Sequence, residues 1–337
     1  MFRHFATVQE FHDWLFSEPV VTVKIPGKLF IAGEYAVTQP GGMAIVAAVD
    51  SDFSVSIKLG GSHSTLRTNI GLEDFSFRLA DLRMADSVET PEQWHFALAA
   101  VRHFQAAVED NLDIEVEIDI HSGLGFGETK KGYGSSAAVV CGIVKALDLF
   151  FDSKFSLREQ FEIAADSHFE VQGSGSGGDI AAIIYGGLIV YRNRDLIEAL
   201  DLPKSWKVYA ISTGKSVKTG QKLTDLQLST DFLADSNQIV EKLSRTQNFA
   251  DFKEGLLENQ EILRKNLPAD YVTEQLAFAL NAVNSVPQLA GKISGSGFGE
   301  NIILFSSEVS QEDLESVSEK LQRHDMELEA LKIAHKN

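Results

Sequence analysis

A segment rich in glycine and serine carries the clearest chemical signal in the chain. It reads Lys130-Lys131-Gly132-Tyr133-Gly134-Ser135-Ser136-Ala137-Ala138. Glycines let the backbone approach a bulky anion closely. A helix that begins at the serines would direct its first N–H groups and the positive end of its dipole toward that anion. The segment therefore predicts a phosphate-binding loop, and a serine hydroxyl there can also reach a phosphate-bound Mg²⁺.

The loop differs from the widespread phosphate loop GxxxxGK[ST], which does not occur in this chain. A glycine-rich turn capped by serine is the structural alternative, and such turns are common. The adjacent cations Lys130 and Lys131 favour phosphate binding, because a protein of formal charge −18 must concentrate its cations where an anion binds.

Two further positions have suggestive neighbours. Asp179 follows the glycine- and serine-rich run Gly173–Gly178. By residue type alone, an aspartate in that place is most often a turn or helix cap. Lys28 follows Pro26-Gly27 and precedes an apolar run. The structural alternative to a functional role for Lys28 is a solvated lysine on a strand.

Three segments, in this order, resemble the signatures of the GHMP kinases, a family of ATP-dependent small-molecule kinases. Pro26–Val37 is similar to the N-terminal signature. Gly132–Ala138 is similar to the GLGSSAA phosphate loop, with Tyr133 at the leucine position. Lys292–Gly299 is similar to the C-terminal KxSGxGxG turn. The order and separation of the three segments fit the family along nearly the whole chain.

Within the family, two runs resemble phosphomevalonate kinases of the bacterial type, namely Glu34–Gly41 and Gly173–Gly187. One stretch departs from that pattern. Phe298–Asn301 stands where those kinases usually have further glycines, an aspartate and then a cysteine.

The resemblance implies an α+β, two-domain GHMP kinase fold. Its N-terminal domain would be like domain 2 of ribosomal protein S5, its C-terminal domain would be ferredoxin-like, and the active site would lie in the cleft between them. We therefore predict an amphipathic N-terminal extension over residues 1–20, an ATP-binding domain over 21–202 and a C-terminal domain over 203–337.

The resemblance also implies roles for individual residues. Asp179 matches the catalytic aspartate, and Lys28 would pair with it and reach toward the transferred group. Mg²⁺ would be bound by Ser136 and by Glu170, since other members carry an acidic residue on the helix before the aspartate. For Glu170 the alternative is a helix-surface glutamate. The residues expected at the nucleotide are Lys130, Lys131, Gly132, Gly134, Ser135, Ser136 and Ala137. Those expected at the acceptor are Lys28, Glu34, Lys215, Ser216, Lys218, Ser294 and Gly295.

The activity implied by the resemblance is phosphorylation of 5-phosphomevalonate by ATP to give 5-diphosphomevalonate, in the mevalonate route to isoprenoids. A phosphorylated acceptor requires additional cations, and lysines 130, 131, 215 and 218 are the candidates. Two alternatives stay open. One is mevalonate kinase or another small-molecule kinase of the family, and the other is a non-catalytic protein of the same fold that binds ligand.

The elements that must position these residues follow from apolar periodicity. Alternating apolar residues predict strands, and spacing of three to four residues predicts helices. Strands mixed with helices, without a regular alternation, favour α+β layers. The predicted strands are Val21–Ile25, Asp52–Lys58, Asp113–Ile120, Trp206–Ser212, Asn301–Phe305 and Leu328–Ile333. The predicted helices are Ser135–Phe151, Gln160–Gln172, Gln311–Gln322, several within Thr230–Val286, and a short one through Val8, Phe11 and Leu15.

Composition excludes several classes of function. A length of 337 residues favours two domains. The net charge of −18 argues against nucleic acid and anionic membranes as partners. A single cysteine, Cys141, excludes a disulfide within the chain and fits the cytoplasm. No run reaches the ~20 apolar residues of a membrane helix, and we expect a monomer or a homodimer.

Overall fold

The computed structural model describes residues 7, 10, 14, 17, 19–82, 90–108, 114–124, 132–213, 228–299 and 301–336. Several predictions lie outside the described residues. They concern the N-terminal residues Val8, Phe11 and Leu15 and the site residues Lys130, Lys131, Lys215, Ser216 and Lys218.

The chain divides into two compact units that alternate along the sequence. Unit 1 consists of Met1–Gly27, Ser51–Leu124 and Ser135–Ser174. Unit 2 consists of Lys28–Asp50, Gly125–Gly134 and Gly175–Asn337. The domain limits at 21–202 and 203–337 stay predictions.

The described strands and helices are numbered in chain order. The strands are β1 (Val20–Lys24), β2 (Gly27–Ala32), β3 (Met43–Val49), β4 (Phe53–Leu59), β5 (Ser64–Thr68), β6 (Phe75–Phe77), β7 (Val116–Ser122), β8 (Leu188–Arg192), β9 (Leu196–Leu200), β10 (Lys207–Ser212), β11 (Leu289–Ser294), β12 (Asn301–Ser306) and β13 (Glu327–Leu331). The helices are α1 (Leu79–Leu82), α2 (His95–Ala107), α3 (Ser135–Phe151), α4 (Leu157–Gln172), α5 (Gly178–Tyr185), α6 (Thr230–Arg245), α7 (Phe249–Asn266), α8 (Glu274–Asn284) and α9 (Gln311–Gln322). Short 3₁₀ turns occur at Ala36–Thr38, Glu92–Trp94 and Ala269–Tyr271.

Unit 1 is a five-stranded sheet in the order β1-β4-β7-β5-β6, covered by helices. Strand β5 pairs with β7 in parallel, and the other pairs are antiparallel. Alternate residues of β4 and β7 are buried, as the apolar alternation predicts. Helix α3 packs on β1 and β4 and contacts α2 and α4. It is buried around most of its circumference, which accounts for its nearly continuous apolar sequence.

Helix α4 starts earlier than the predicted Gln160 because of a local capping arrangement. The Ser156 side chain accepts the N–H of Glu159, and the Glu159 carboxylate accepts the N–H of Ser156 at 2.7 Å. This capping box satisfies two N–H groups that a helix start otherwise leaves unpaired. At the other end Gly173, with φ 73°, stops the helix in the left-handed region.

Unit 2 contains two four-stranded sheets. One has the order β2-β3-β8-β9, with α5 packed on β3 and β8 and α6 on β3. The other has the order β11-β12-β10-β13, and its strand pairs are antiparallel. Helices α7 and α8 pack on β11, and α9 packs on β13 and α8. Within the described ranges, no helix combines the length and the apolar character needed to cross a bilayer.

The contact between α3 and the sheet of unit 1 depends on Gly142. A Cβ atom there would lie 2.6 Å from Cγ2 of Val55 and 3.2 Å from Cγ1 of Ile25. We expect Gly142→Leu to lower the free energy of unfolding by about 1–3 kcal/mol through overpacking. Urea denaturation measures this. The control is Gly61→Ala, at a position where nothing lies within 4 Å of the added atom, and equal effects of the two substitutions would contradict the packing argument.

Candidate functional site

In unit 2, Lys28 lies directly beside the glycine loop. Its backbone N–H donates to the carbonyl of Tyr133 at 2.9 Å. Its methylene groups pack on Gly134, where a Cβ atom would lie 2.8 Å from Cε and 3.0 Å from Cγ of Lys28. Gly134 also has φ 79°, a conformation that favours glycine. Gly134 is therefore required both by the turn and by the lysine that packs on it.

Asp179 lies in the first turn of α5, after Gly177 in the left-handed conformation at φ 79°. Its Oδ1 atom accepts the N–H of Ile180 at 2.9 Å. A carboxylate in this place is stabilised by the positive end of the helix dipole. Asp179 thus occupies the position of a helix-terminal aspartate, which was the structural alternative. Its side chain is partly exposed.

The direct pairing predicted between Lys28 and Asp179 is not formed. Both residues are described, and no ion pair joins them. The ammonium of Lys28 lies 5.4 Å from the ring centroid of Phe30, on the same strand. That ring also approaches Gly178, whose added Cβ atom would lie 3.4 Å from Cζ of Phe30. The lysine and the start of α5 are therefore connected through an aromatic ring instead of a salt bridge.

Glu34 forms a buried ion pair with Lys292. The exposed fractions of the two side chains are 3% and 0%. The ammonium of Lys292 donates to Oε1 of Glu34 and to the carbonyl of Ile293, the latter at 2.6 Å. Burial lowers the pKa of Lys292, and the charge of Glu34 opposes that shift. The Glu34 carboxylate therefore has a cationic partner in the interior. Contact of Glu34 with an acceptor stays a prediction.

The C-terminal turn Ser294–Gly299 follows β11 and is held by aromatic side chains. The Tyr35 hydroxyl donates to the carbonyl of Ser296 at 2.5 Å. Gly297 lies on the ring of Tyr271, and a Cβ atom would approach that ring to 2.3 Å. The Phe298 N–H donates to the carbonyl of Tyr271 at 3.0 Å. The predicted acceptor residues of this turn, buried Ser294 and half-buried Gly295, therefore lie at its start.

The departure from the family pattern at Phe298 is accommodated by packing. Phe298 has φ 59°, a conformation in which glycine is the easier residue. Its side chain is 7% exposed and meets the ring of Tyr271 edge-on at 6.0 Å between centroids. Burial of the ring offsets the backbone strain, so the turn keeps its form without a glycine at this point.

In unit 1, helix α3 begins at Ser135, where the sequence predicts it. Ala137 is fully buried, and Ser135 and Ser136 are partly exposed in the first turn. The Ser136 Oγ atom lies 3.2 Å from Nε2 of His168 on α4. The hydroxyl predicted to bind Mg²⁺ thus has a histidine partner within its own unit.

Glu170 has two basic partners on the exposed side of α4. Its carboxylate accepts a hydrogen bond from Arg102 and lies 2.9 Å from Nε2 of His103. Burial and the neighbouring Arg102 charge lower the pKa of His103. These contacts are those of a helix-surface glutamate, which was the alternative. The metal-binding role of Glu170 stays a prediction with no support from its contacts.

Three residues of the site were not singled out from the sequence. Lys292 and Tyr35 belong to two of the segments that resemble the family signatures, and this resemblance was the available signal for them. Nothing in the local sequence indicated which residues they would contact. His168 has no local signal, because a single histidine on an amphipathic helix does not indicate which side chain it will meet.

The Glu34–Lys292 pair generates a stability prediction. Lys292→Met leaves a buried carboxylate unpaired, so the free energy of unfolding should fall by about 3–5 kcal/mol. Adding Glu34→Gln should recover part of that loss, since the unpaired charge is then removed. Urea denaturation of the two single variants and the double variant measures the coupling.

Lys265→Met is the matched control, because Lys265 pairs with Glu261 on the exposed surface of α7. It should change the free energy of unfolding by less than about 0.5 kcal/mol. An effect of Lys292→Met as small as that of Lys265→Met would contradict the assignment of a buried pair.

Two family models match the chain. The model of the GHMP kinases N terminal domain matches residues 95–187, and the model described as GHMP kinases C terminal matches residues 239–325. Together they cover more than half of the chain.

Characterised relatives match over part of their length. A phosphomevalonate kinase from Streptomyces sp. (strain CL190) is 34% identical over 193 residues, which are 53% of this chain and 51% of the relative. A mevalonate kinase from Archaeoglobus fulgidus is 27% identical over 176 residues, which are 51% of this chain and 53% of the relative. In these alignments the chain spans about half the length of the relatives it matches.

Solved structures match over nearly the full chain. The Lin0012 protein from Listeria innocua has a TM-score of 0.80 at 26% identity, covering 95% of this chain and 98% of that chain. Streptococcus pneumoniae phosphomevalonate kinase, in complex with phosphomevalonate and AMPPNP, has a TM-score of 0.80 at 19% identity, covering 93% and 99%. At that identity the likeness concerns the fold alone. The predicted two-domain α+β fold is confirmed, and this chain belongs to the GHMP kinase family.

Proposed function

We propose that this chain transfers the γ-phosphoryl group of ATP to 5-phosphomevalonate, giving ADP and 5-diphosphomevalonate. The observation that carries the proposal is the packing of Lys28 on Gly134. It brings the cation of the N-terminal signature to the glycine loop that resembles the family's phosphate loop. Phosphoryl transfer depends mainly on positioning and on neutralising charge, which is what a fixed cation beside a phosphate loop supplies.

The nucleotide side of the proposal rests on the loop and the helix that follows it. Gly132 and Gly134 have φ values of 72° and 79°, and the chain passes directly from Gly134 into α3 at Ser135. Unpaired N–H groups in the first turn of a helix favour bound phosphate. Lys130 and Lys131, at the preceding positions, remain proposed nucleotide contacts that lie outside the described residues.

Mg²⁺ fits the chemistry of the side chains that are present. Among the described residues, no group of three or more His, Cys, Asp or Glu side chains could hold a metal ion alone. Mg²⁺ at a nucleotide needs no such cage, since it takes one or two protein oxygens together with phosphates and water. The Ser136 hydroxyl is an oxygen ligand of that kind. When bound, the ion would neutralise charge on the triphosphate.

The chemical step follows from the acceptor. An oxygen of its phosphate attacks the γ-phosphorus of ATP, the bond from that phosphorus to the β,γ-bridging oxygen breaks, and ADP leaves. A phosphate monoester has a second pKa of ~6 and is largely ionised at neutral pH. Asp179 would then orient reacting groups instead of acting as a strict base, and Lys28 would neutralise charge on the transferred group.

The choice of acceptor is supported by the 34% identical phosphomevalonate kinase from Streptomyces. It is also supported by charge, because a dianionic acceptor must bind beside a triphosphate in a protein of formal charge −18. Lys215, Ser216 and Lys218 remain the proposed acceptor contacts, outside the described residues. Cytoplasmic localisation and a monomeric or homodimeric state remain predictions.

The acceptor assignment predicts strong discrimination. Each contact between a lysine and a phosphate contributes about 1.5–3 kcal/mol, so losing one such contact lowers affinity by roughly 10- to 100-fold. We expect kcat/KM for 5-phosphomevalonate to exceed that for mevalonate by at least about 100-fold. A coupled ADP assay with 5-phosphomevalonate, mevalonate, galactose and homoserine measures this.

Preference for mevalonate or a sugar would refute the acceptor while leaving the kinase assignment in place. Absence of ADP formation with all four acceptors would favour a non-catalytic ligand-binding protein.

For Asp179 we expect Asp179→Asn to lower kcat by at least about 10²-fold, the effect of misplacing the reacting groups. Folding should be preserved, because the asparagine Oδ1 can still accept the N–H of Ile180. Asp231→Asn is the control, since Asp231 also lies in the first turn of a helix, α6. Turnover by the coupled assay and thermal unfolding are measured on both. Near-normal turnover of Asp179→Asn would exclude Asp179 from the chemistry.

A further inference from the structure

A buried histidine contacts the helix that follows the phosphate loop. His168, on α4, is 6% exposed, and its Nε2 atom lies 3.2 Å from Oγ of Ser136 on α3. Its ring stacks on Phe96 of α2 with centroids 5.0 Å apart. The three residues belong to unit 1, so the histidine is fixed by the packing of helices within one unit.

The Ser136 hydroxyl is used differently from a neighbouring buried serine. A serine within a helix commonly bonds to a carbonyl one turn earlier. Ser167, adjacent to His168, does this by donating to the carbonyl of Ile163 at 2.6 Å. Among the described residues, the hydrogen-bond partner of the Ser136 hydroxyl is the ring of His168, on another helix. That contact determines the direction of the hydroxyl at the start of α3.

We propose that His168 is a positioning residue that makes Ser136 a ligand for nucleotide-bound Mg²⁺, an inference that rests on the proposed function. A hydroxyl group has one proton and two lone pairs. When Nε2 of a neutral His168 accepts the proton, both lone pairs of Oγ remain, and one is available to a cation. Mg²⁺ takes oxygen lone pairs as ligands. His168 acts only through Ser136 and does not touch the metal or the nucleotide.

The alternative is that His168 only fills the space between α2, α3 and α4. The two accounts differ in how substitutions combine. If His168 acts through the hydroxyl, its removal has no further effect once that hydroxyl is absent. If it acts through packing, its effect persists in the absence of the hydroxyl and adds to that of Ser136→Ala.

The experiment is calorimetric binding of the ATP analogue β,γ-imido-ATP, with and without Mg²⁺. It compares the wild-type chain with Ser136→Ala, His168→Phe and the double variant. Phenylalanine keeps the aromatic contact with Phe96 and removes the ring nitrogens. We expect each single substitution to reduce the gain in affinity due to Mg²⁺ by roughly 3- to 10-fold, the effect of one hydrogen bond. The double variant should lose no more than Ser136→Ala alone.

His168→Gln and His121→Phe complete the test. The amide oxygen of the introduced glutamine can accept the serine proton, so His168→Gln should recover at least half of the loss on a logarithmic scale. His121 lies on β7, and its Nε2 atom lies 3.5 Å from Oδ2 of Asp52, so His121→Phe should leave the Mg²⁺-dependent gain unchanged. If His168→Phe fails to fold, His168→Leu, which also removes the ring nitrogens, takes its place in the double-variant comparison.

Each outcome has one interpretation. If the losses of Mg²⁺-dependent affinity in Ser136→Ala and His168→Phe add up in the double variant, the positioning role is overturned. The positioning role is also overturned if both His168 variants keep the Mg²⁺-dependent gain while Ser136→Ala loses it. In both cases the proposed function stands. An unchanged gain in Ser136→Ala overturns the metal role of Ser136 and the role of His168 with it. A wild-type chain that binds no nucleotide with Mg²⁺ overturns the proposed function itself.

Discussion

Glu34 and Lys292 are 258 positions apart in the chain, and their charges meet in the interior of unit 2. Removing two charges from water is costly, and their attraction offsets the cost only when the geometry is good and further hydrogen bonds are made. Here Lys292 also donates to the carbonyl of Ile293. The end of the N-terminal signature and strand β11 must therefore be brought together accurately. The Tyr35 hydroxyl, adjacent to Glu34, then reaches the turn that follows β11.

Close backbone approach is the second constraint on this part of the chain, and it explains the glycines of the signatures. At Gly33 a Cβ atom would lie 2.0 Å from the carbonyl oxygen of Met43, and φ is 85°. At Gly134 the neighbour is the side chain of Lys28. One glycine lets strand β3 pass beside Glu34, and the other gives Lys28 its place at the loop. Gly33 thus leaves room for the backbone of β3, and Gly134 leaves room for the side chain of Lys28.

The departure at Phe298 shows how a family turn can change without losing its geometry. Glycine permits a left-handed backbone through the absence of a side chain, whereas Phe298 holds it through burial against Tyr271. The same tyrosine carries Gly297 on its ring and accepts the N–H of Phe298. Tyr271 thus supports the turn at two consecutive residues, Gly297 and Phe298.

The sequence by itself determined the features that arise from local patterns. Helix α3 and its start at Ser135, the buried alternation of β4 and β7, and the three glycine-containing segments follow from spacing and residue type, and those segments indicated the family. Only the tertiary structure decided which charged and polar groups meet. Glu34 pairs with Lys292, Glu170 with Arg102 and His103, and Ser136 with His168, whereas Lys28 and Asp179 form no ion pair. Local periodicity specifies which face of an element is buried, but a polar partner distant in the chain is selected by packing, which no local pattern encodes.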